Sequence, residues 1–164
     1  MNTVSKLVAL HIPTDRELLA AVGEVALRHE HMNYILRMTI KSLSGITATE
    51  AIAATKYESS RQLRDRVRGL ARKRLGEGPA LLKLQAIVAS CEDLTEQRND
   101  LIHGLWAIEL DGDAHIRDAH GRARPVPTAS KLYTLAAAID ALTTDLNHER
   151  LEGFLHEALS VRAP

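Results

Sequence analysis

The sequence predicts an all-α protein: a four-to-five-helix up-and-down bundle with a small β-hairpin inserted before the last helix. Hydrophobic residues make up 45% of the chain and aromatic residues only 3%, so aliphatic side chains must fill the core, which favours helices. Apolar residues recur at steps of three and four over long segments, as on one face of a helix. We expect residues 1–164 to form a single domain with an insertion at about 106–128.

The first two helices have recognisable start and stop signals. Thr14, with Glu17 three residues later, predicts a capping box at the start of a long helix, and Gly45 predicts its end. The apolar face of this helix would carry Leu18, Val22, Val25, Met32, Leu36 and Leu43. The segment "TATE" at residues 47–50 is a second capping box and predicts a short helix after it.

The next two helices are delimited in the same way. Either Ser59 or Ser60 is expected to cap a helix over "RQLRDRVRGLARKRL", which "GEG" would end. Pro79 stands where a proline fits the first turn of the following helix. The apolar seam of that helix would consist of Leu84, Ile87, Cys91, Leu94, Leu101 and Leu105.

The segment "LWAIELDGDAHIRDAHGRARPVP" has a different pattern, with turn residues between short alternating runs. "DGD" predicts a β-hairpin with a three-residue loop, Asp111 to Asp113. That loop would set Ile108 opposite Ile116 and Leu110 opposite Ala114. "GRARPVP" is expected to be a linker. Either Thr128 or Ser130 would cap a last helix with apolar residues Leu132, Leu135, Ile139, Leu142, Leu146, Leu151, Leu155 and Leu159.

Charge and cysteine content narrow the class of protein. The 21 basic and 21 acidic residues balance, so any anion binding must come from a local cluster. The single cysteine, Cys91, excludes an internal disulfide and fits a reducing compartment. The segment "MNTVSKLVALHIPTDREL" is a poor signal peptide, and no apolar run approaches the roughly 20 residues of a membrane span. We therefore expect a cytoplasmic protein without membrane contact.

The eight histidines do not suggest a metal site. His29 and His31 are two apart on a helix and point in different directions, while His115 and His120 lack a carboxylate or cysteine at ligand spacing. We expect neither a metal nor a cofactor. His29 does fall on the apolar seam of the first helix, where it would be either a core histidine or a neighbour of a cleft around Arg98.

The stretch "RNDLIHGLW", residues 98–106, carries the strongest functional signal. Arg98 falls on the apolar seam of its helix, so it should face a carboxylate, a cleft or a subunit boundary, since an unpaired buried charge costs several kcal/mol. Asn99 and His103 are four residues apart and share a helix face. On an ideal helix Arg98 and His103 would lie about 140° apart, so we expect a homodimer in which two copies form one cleft.

These residues resemble the HEPN superfamily, whose members are helical bundles, often homodimers, marked by an arginine, four to six residues and a histidine. Arg98, "NDLI" and His103 fit this pattern, with Asn99 in the position where a polar residue is common. The resemblance implies a toxin or defence ribonuclease that cleaves RNA without a metal through attack of the ribose 2′-hydroxyl. His103 would transfer the proton, Arg98 would stabilise phosphorane charge and Asn99 would orient the phosphate or the histidine.

One position departs from a subgroup of the family, and an alternative stays open. Some HEPN toxins carry a tyrosine two residues after the histidine, which a partner nucleotidyltransferase modifies; Leu105 stands there, so such control is not expected. Alternatively, Arg98 pairs with a glutamate and His103 donates to the last helix carbonyls. The protein would then be a non-catalytic helical adaptor for a protein partner or a nucleotide. An antitoxin is a possible partner under the first hypothesis.

An arginine stripe precedes this motif in the sequence. Arg61, Arg64, Arg68 and Arg72 recur at helical spacing within a stretch of seven basic residues and one aspartate. RNA phosphates would neutralise the stripe and give salt-sensitive binding. Alternatively, it is a solvated face paired to carboxylates elsewhere. No aromatic residue lies within the stripe, so base stacking is not indicated.

Overall fold

A computed structural model describes residues 8–109, 112–118 and 120–161. Within these ranges the chain is mostly helical and also forms a small antiparallel sheet. The helices are α1 Arg16–Ser44, α2 Ala48–Ala54, α3 Ser60–Leu75, α4 Pro79–Ile102, α5 Ala129–Leu151 and α6 Phe154–Ser160. The strands are β1 Val8–Leu10, β2 Leu105–Glu109, β3 Ala114–Arg117 and β4 Ala123–Pro125.

The first helix has the predicted length but a different cap. Asp15, not Thr14, is the N-cap, and its Oδ1 accepts hydrogen bonds from the backbone N–H of Glu17 at 2.9 Å and of Leu18 at 3.3 Å. A carboxylate at this position satisfies free N–H groups and also interacts favourably with the helix dipole. At the other end Gly45 adopts the left-handed conformation, with φ 68°, so the predicted stop is confirmed.

The predicted starts of α2, α3 and α4 are confirmed. Thr47 and Glu50 form both hydrogen bonds of a capping box, and Ser59 forms the same arrangement with Gln62, which decides between the two serines. Pro79 lies in the first turn of α4. Each signal acts within three residues of the helix start, which explains why the sequence alone located them.

The core lies between α1, α3, α4 and α5, and α1 contacts the other three. Of the six residues predicted for the seam of α4, Leu84, Cys91 and Leu101 are buried, and Ile87 and Leu94 are partly buried. Burial raises the pKa of the Cys91 thiol to about 11, which agrees with a packing role. Leu105 departs from the prediction: it lies in β2, beyond the end of the helix, and is 47% exposed.

The predicted hairpin is present, but the register that we predicted for it is wrong, and the hairpin belongs to a larger sheet. The strand order is β1-β2-β3-β4, all antiparallel. Ile116 pairs with Trp106 instead of Ile108, and Ala114 pairs with Ile108. The N–H of Gly112 donates to the carbonyl of Glu109 at 3.2 Å, so the turn begins earlier than predicted and the paired segments end sooner. The expected partner Leu110 and the loop residue Asp111 lie outside the described residues.

Two strands of this sheet were not predicted. Strand β1 comes from the N-terminal part of the chain and pairs with β2, about one hundred residues later, with Leu10 opposite Ala107. Strand β4 lies inside "GRARPVP", which was expected to be a linker, and sets Arg124 opposite Ile116. Each has three residues, too few for a period-2 pattern, so only the neighbouring strand defines it.

The expected last helix is divided into two. Thr128, rather than Ser130, caps α5. The helix ends at Leu151, and α6 begins after Gly153, which is its N-cap. The carboxylate of Glu149 accepts a hydrogen bond from the N–H of Phe154 at 2.8 Å, which stabilises the break. No helix in the described part of the chain is long and apolar enough to cross a membrane.

Candidate functional site

The end of α4 brings the three motif residues together within one chain. The helix ends at Ile102, and His103 is its C-cap, with its N–H bonded to the carbonyl of Asn99 at 2.9 Å. Nη1 of Arg98 lies 3.2 Å from Nε2 of His103 and 3.1 Å from Oδ1 of Asn99. The separation of about 140° assumed an uninterrupted helix. His103 still has an αR backbone and the helical hydrogen bond to Asn99, but Nη1 at the far end of the long Arg98 side chain reaches its ring, so a second copy is not needed to join the pair.

The contact with Arg98 defines the hydrogen-bonding roles of the two ring nitrogens of His103. A guanidinium has only donors, so Nε2 of His103 must accept and the ring proton must lie on Nδ1. The sequence had left open that His103 donates to the last carbonyls of its helix. Nε2 instead contacts a donor, Nη1 of Arg98.

Gly104 allows the chain to leave the helix next to His103. A Cβ atom at this position would overlap the side chain of Ile116 and the carbonyl oxygen of Asp100. The indole N–H of Trp106 donates to the carbonyl of Leu101 at 3.0 Å and ties the start of β2 to the helix end. The position of His103 therefore depends on a close approach between α4 and the sheet that only glycine permits.

Arg98, Asn99 and His103 line a pocket of about 340 Å³ between α1, the α2–α3 turn, α3 and the end of α4. We call these three residues the open rim of the pocket, since Asn99 and His103 are exposed. The charged residues in its wall are the arginines Arg37, Arg61, Arg64 and Arg98 and the glutamates Glu30 and Glu58. Four arginines against two glutamates favour an anionic ligand.

The structure divides the predicted arginine stripe into different environments. Arg61 and Arg64 line the pocket. Arg68 is paired with Glu92 at 2.6 Å and with Asp65 at 3.2 Å, and its hydrogen bond lowers the pKa of the Glu92 carboxyl. Arg72 lies farther along α3, is exposed and does not line the pocket. Arg61 also lies 3.8 Å from Asp65 and Arg64 lies 3.7 Å from Glu92. In the described part of the chain, three of the four members thus have a carboxylate partner, and two of these three also line the pocket.

Beneath the pocket, Arg64, Thr95 and His29 form a buried polar cluster. Arg64 is only 4% exposed, and its Nη1 donates to Oγ1 of Thr95 at 3.1 Å. The Thr95 hydroxyl donates to the carbonyl of Cys91 at 2.6 Å, which uses its one proton. In the contact of 3.2 Å between Thr95 Oγ1 and His29 Nε2, Oγ1 must therefore be the acceptor. The ring proton of His29 then lies on Nε2. Sequence reasoning had not identified Thr95.

His29 stays neutral at physiological pH. Its burial, and after it the positive charge of Arg98, lowers its pKa to about 4, against a smaller opposite effect of Glu30. The ring is 1% exposed, which confirms a core histidine, and it also adjoins the Arg98 cleft. Its second nitrogen, Nδ1, is buried without a hydrogen-bond partner in the described part of the chain.

Unpartnered buried polar atoms concentrate around this pocket. Among the described residues, six buried side-chain nitrogen or oxygen atoms lack a partner, and five of them belong to pocket residues or to His29. These five are His29 Nδ1, Asn33 Oδ1, Glu58 Oε2, Arg64 Nε and Arg98 Nε. Buried polar atoms are almost always hydrogen-bonded, so this concentration makes the pocket a candidate site for polar groups from outside the chain.

Asn33 and Glu58 were missed by sequence reasoning. A signal existed for Asn33, because it lies one turn after His29 and so places a second polar residue at the buried face of α1. Glu58 lies in the turn between α2 and α3, where the sequence pattern gives no hint of its environment.

Comparisons with protein-family models, curated proteins and solved structures find no match. The likeness to HEPN proteins therefore depends on the motif and on the helical character of the chain. Within residues 8–109, 112–118 and 120–161, no group of three or more histidine, cysteine or acidic side chains is arranged to hold a metal ion.

Proposed function

We propose that this protein is a metal-independent endoribonuclease of the toxin or defence type, with its reaction centre at Arg98, Asn99 and His103. One observation carries the proposal: Arg98 donates to both Asn99 and His103 at the rim of a pocket with more arginines than glutamates. A guanidinium in contact with an imidazole suits phosphodiester cleavage, which needs charge stabilisation and proton transfer. The HEPN-like spacing of Arg98 and His103 points to the same reaction.

The proposed reaction is attack of a ribose 2′-hydroxyl on the adjacent phosphorus. Nε2 of His103 takes the hydroxyl proton as the O2′–P bond forms. The P–O5′ bond breaks, and the departing 5′ oxygen takes a proton from a protonated histidine, leaving a 2′,3′-cyclic phosphate and a 5′-hydroxyl. Arg98 donates to the nonbridging oxygens, where negative charge increases in the transition state. Asn99 orients the phosphate through its side-chain amide.

The proposal includes a homodimer and a cytoplasmic setting. Cleavage needs one imidazole that accepts a proton and one that donates it, and two copies of the chain would supply two His103 side chains. The single, buried cysteine fits a reducing compartment. RNA is the proposed substrate, and an antitoxin or another protein would cover the site when the enzyme is silent.

The test is cleavage of labelled RNA by the purified protein in the presence of EDTA. We expect the wild type to cleave and His103→Ala to lose about 10²–10⁴-fold in rate, because general acid–base catalysis contributes that much. His31→Ala is the matched control, since His31 is an exposed histidine outside the pocket. The expected end groups are a 2′,3′-cyclic phosphate and a 5′-hydroxyl.

The competing function is a helical adaptor that binds a protein or a nucleotide in the same pocket without chemistry. If the wild type leaves the labelled RNA uncleaved at every protein concentration, the adaptor function is favoured. Equal cleavage by wild type and His103→Ala would instead indicate a contaminating nuclease or a different reaction centre.

A further inference from the structure

We infer that the pocket binds the base of one nucleotide through two hydrogen-bond acceptors, Asn33 and Glu58, and that it selects bases with an exocyclic amino group. We call these two residues the buried wall of the pocket. The inference rests on the proposed function, because the phosphate of that nucleotide would lie at the open rim. Both residues line the same pocket as Arg98 and His103.

Asn33 presents a free acceptor because its amide orientation is determined by a neighbour. Its Nδ2 donates to Oε1 of Glu30 at 3.2 Å, and a carboxylate can only accept, so Oδ1 is the atom left over. Asn33 is 5% exposed, and Oδ1 is buried without a hydrogen-bond partner among the described residues. An unpaired buried oxygen is unfavourable until the N–H or O–H of a ligand reaches it.

Glu58 presents the second acceptor. Nη2 of Arg66 pairs with its Oε1, which holds the carboxylate in place. The other oxygen, Oε2, is buried and has no hydrogen-bond partner in the described part of the chain. The carboxylate therefore keeps one oxygen with unused hydrogen-bonding capacity in a residue that lines the pocket.

Two unpartnered acceptors in the lining of one pocket suit an amino group, which carries two N–H donors on a single nitrogen. Cytosine, adenine and guanine have such a group, whereas uracil presents carbonyl oxygens on either side of one N–H. A carbonyl oxygen facing Asn33 Oδ1 or Glu58 Oε2 would be repelled and would leave the acceptor unpaired. The pocket, at about 340 Å³, is near the lower end of the range for small-molecule sites and suits one nucleotide.

The charges in the pocket favour a nucleotide over a basic side chain of a protein partner. The pocket is lined by four arginines and two glutamates: Arg37, Arg61, Arg64 and Arg98 against Glu30 and Glu58. A lysine or arginine side chain of a partner would therefore meet net repulsion. A nucleotide offers a phosphate to the arginines and neutral N–H donors to the buried wall. The phosphate thus suits the unpartnered arginine N–H groups, and the base suits the unpartnered oxygens of Asn33 and Glu58.

The experiment measures calorimetric binding of cytidine 3′-monophosphate and uridine 3′-monophosphate, which share sugar and phosphate. We expect the cytidine nucleotide to bind about tenfold more tightly, as for one hydrogen bond that a buried acceptor gains or loses. Glu58→Gln should abolish or reverse this preference, because its oxygen can still accept from Arg66 while its NH₂ takes the place of Oε2. Asn33→Leu should reduce the preference by removing the other acceptor.

Controls separate this inference from the proposed function. Asp93→Asn, an exposed acid-to-amide change on α4 outside the pocket, should keep the preference, and Arg98→Ala should weaken both nucleotides equally. Equal binding of the two nucleotides, no binding of either, or an unchanged preference in Glu58→Gln and Asn33→Leu would overturn the inference. RNA cleavage in EDTA would in those cases leave the proposed enzyme standing. Base preference without RNA cleavage would support the base site and refute the enzyme.

Discussion

Nη1 of Arg98 lies 3.2 Å from Nε2 of His103, five residues later, and 3.1 Å from Oδ1 of Asn99. One guanidinium thus holds the other two motif residues in place. Its partners in the described part of the chain are these two neutral groups rather than a carboxylate, so its full positive charge remains available to an anion.

Replacement of Arg98 tests this arrangement. We expect Arg98→Ala to fold normally, because the side chain is only partly buried, and to lose roughly 10²–10³-fold in cleavage rate. Arg98→Lys should recover little activity, since an ammonium cannot form the bidentate contact with a phosphate that a planar guanidinium can form. Rates are measured on labelled RNA, with Arg16→Ala as an exposed arginine control. Loss of about 3–5 kcal/mol of stability in Arg98→Ala would mean that the arginine is structural.

Gly104→Ala should disturb the site through the backbone. The added Cβ would overlap the Ile116 side chain and the Asp100 carbonyl, so we expect a loss of about 1–3 kcal/mol and a displaced His103. Gly23→Ala is the matched control: its Cβ would meet nothing within 4 Å, and alanine in a helix should raise stability by about 0.5–1 kcal/mol. Urea unfolding and RNA cleavage measure the two effects. A Gly104→Ala variant as stable and active as wild type would refute the close approach.

His29 makes the stability of the fold depend on pH. Its pKa is lowered to about 4 in the folded chain, whereas an unfolded histidine has the ordinary value of 6.5. As pH falls between these values, the unfolded state takes up a proton that the folded state does not, so the unfolding free energy decreases. The contribution is fully present above about pH 6.5 and is lost by about pH 4, a change of about 3 kcal/mol.

The comparison of wild type with His29→Leu isolates this effect from other titrating groups. The groups around the ring are Arg64, Arg98 and Glu30, and all three remain in the variant. Urea unfolding at about pH 7, 5.5 and 4.5 should show a steeper loss of stability in the wild type. Parallel pH profiles of the two proteins would show that His29 is not held neutral.

The arginines of α3 should differ in their contribution to RNA affinity. Arg61→Ala removes a residue that lines the pocket, so we expect weaker binding and a salt dependence reduced by about one phosphate contact. Arg68→Ala should have a smaller effect, because Arg68 is paired with Glu92 at 2.6 Å and Asp65 at 3.2 Å, whereas the only ion pair of Arg61 among the described residues is the longer one with Asp65, at 3.8 Å. Arg72→Ala tests whether RNA continues along the exposed part of α3. Binding titrations at several salt concentrations measure how steeply the affinity for RNA falls with salt in each variant. Equal slopes in wild type and all variants would show that these arginines do not contact RNA phosphates.

The proposed homodimer predicts a dimeric mass by light scattering at tens of micromolar protein. A mixture of His103→Ala and Arg98→Ala chains should then differ in rate from either variant alone if the two copies share one cleft. A monomer that cleaves RNA at full rate would show that one chain supplies all the required groups.

Features that depend on neighbouring residues could be predicted from the sequence. Helix starts at Thr47, Ser59 and Pro79 and the stop at Gly45 are local, because capping groups act within three or four residues. The motif residues were recognisable for the same reason, as an arginine, an asparagine and a histidine within one turn and a half. Where two neighbours can both act as a cap, as Thr14 and Asp15 can, the local pattern did not decide between them.

Tertiary structure alone decided which residues surround the motif. Asn33 and Glu58 reach the pocket from other elements, Thr95 joins His29 across 66 positions, and β1 finds β2 about one hundred residues away. Such contacts depend on how the helices pack, and a single sequence has no periodicity that records them. Arg98 and His103 illustrate both levels: their spacing was visible in the sequence, but the contact between Nη1 and Nε2 depends on the side-chain conformations in the folded chain.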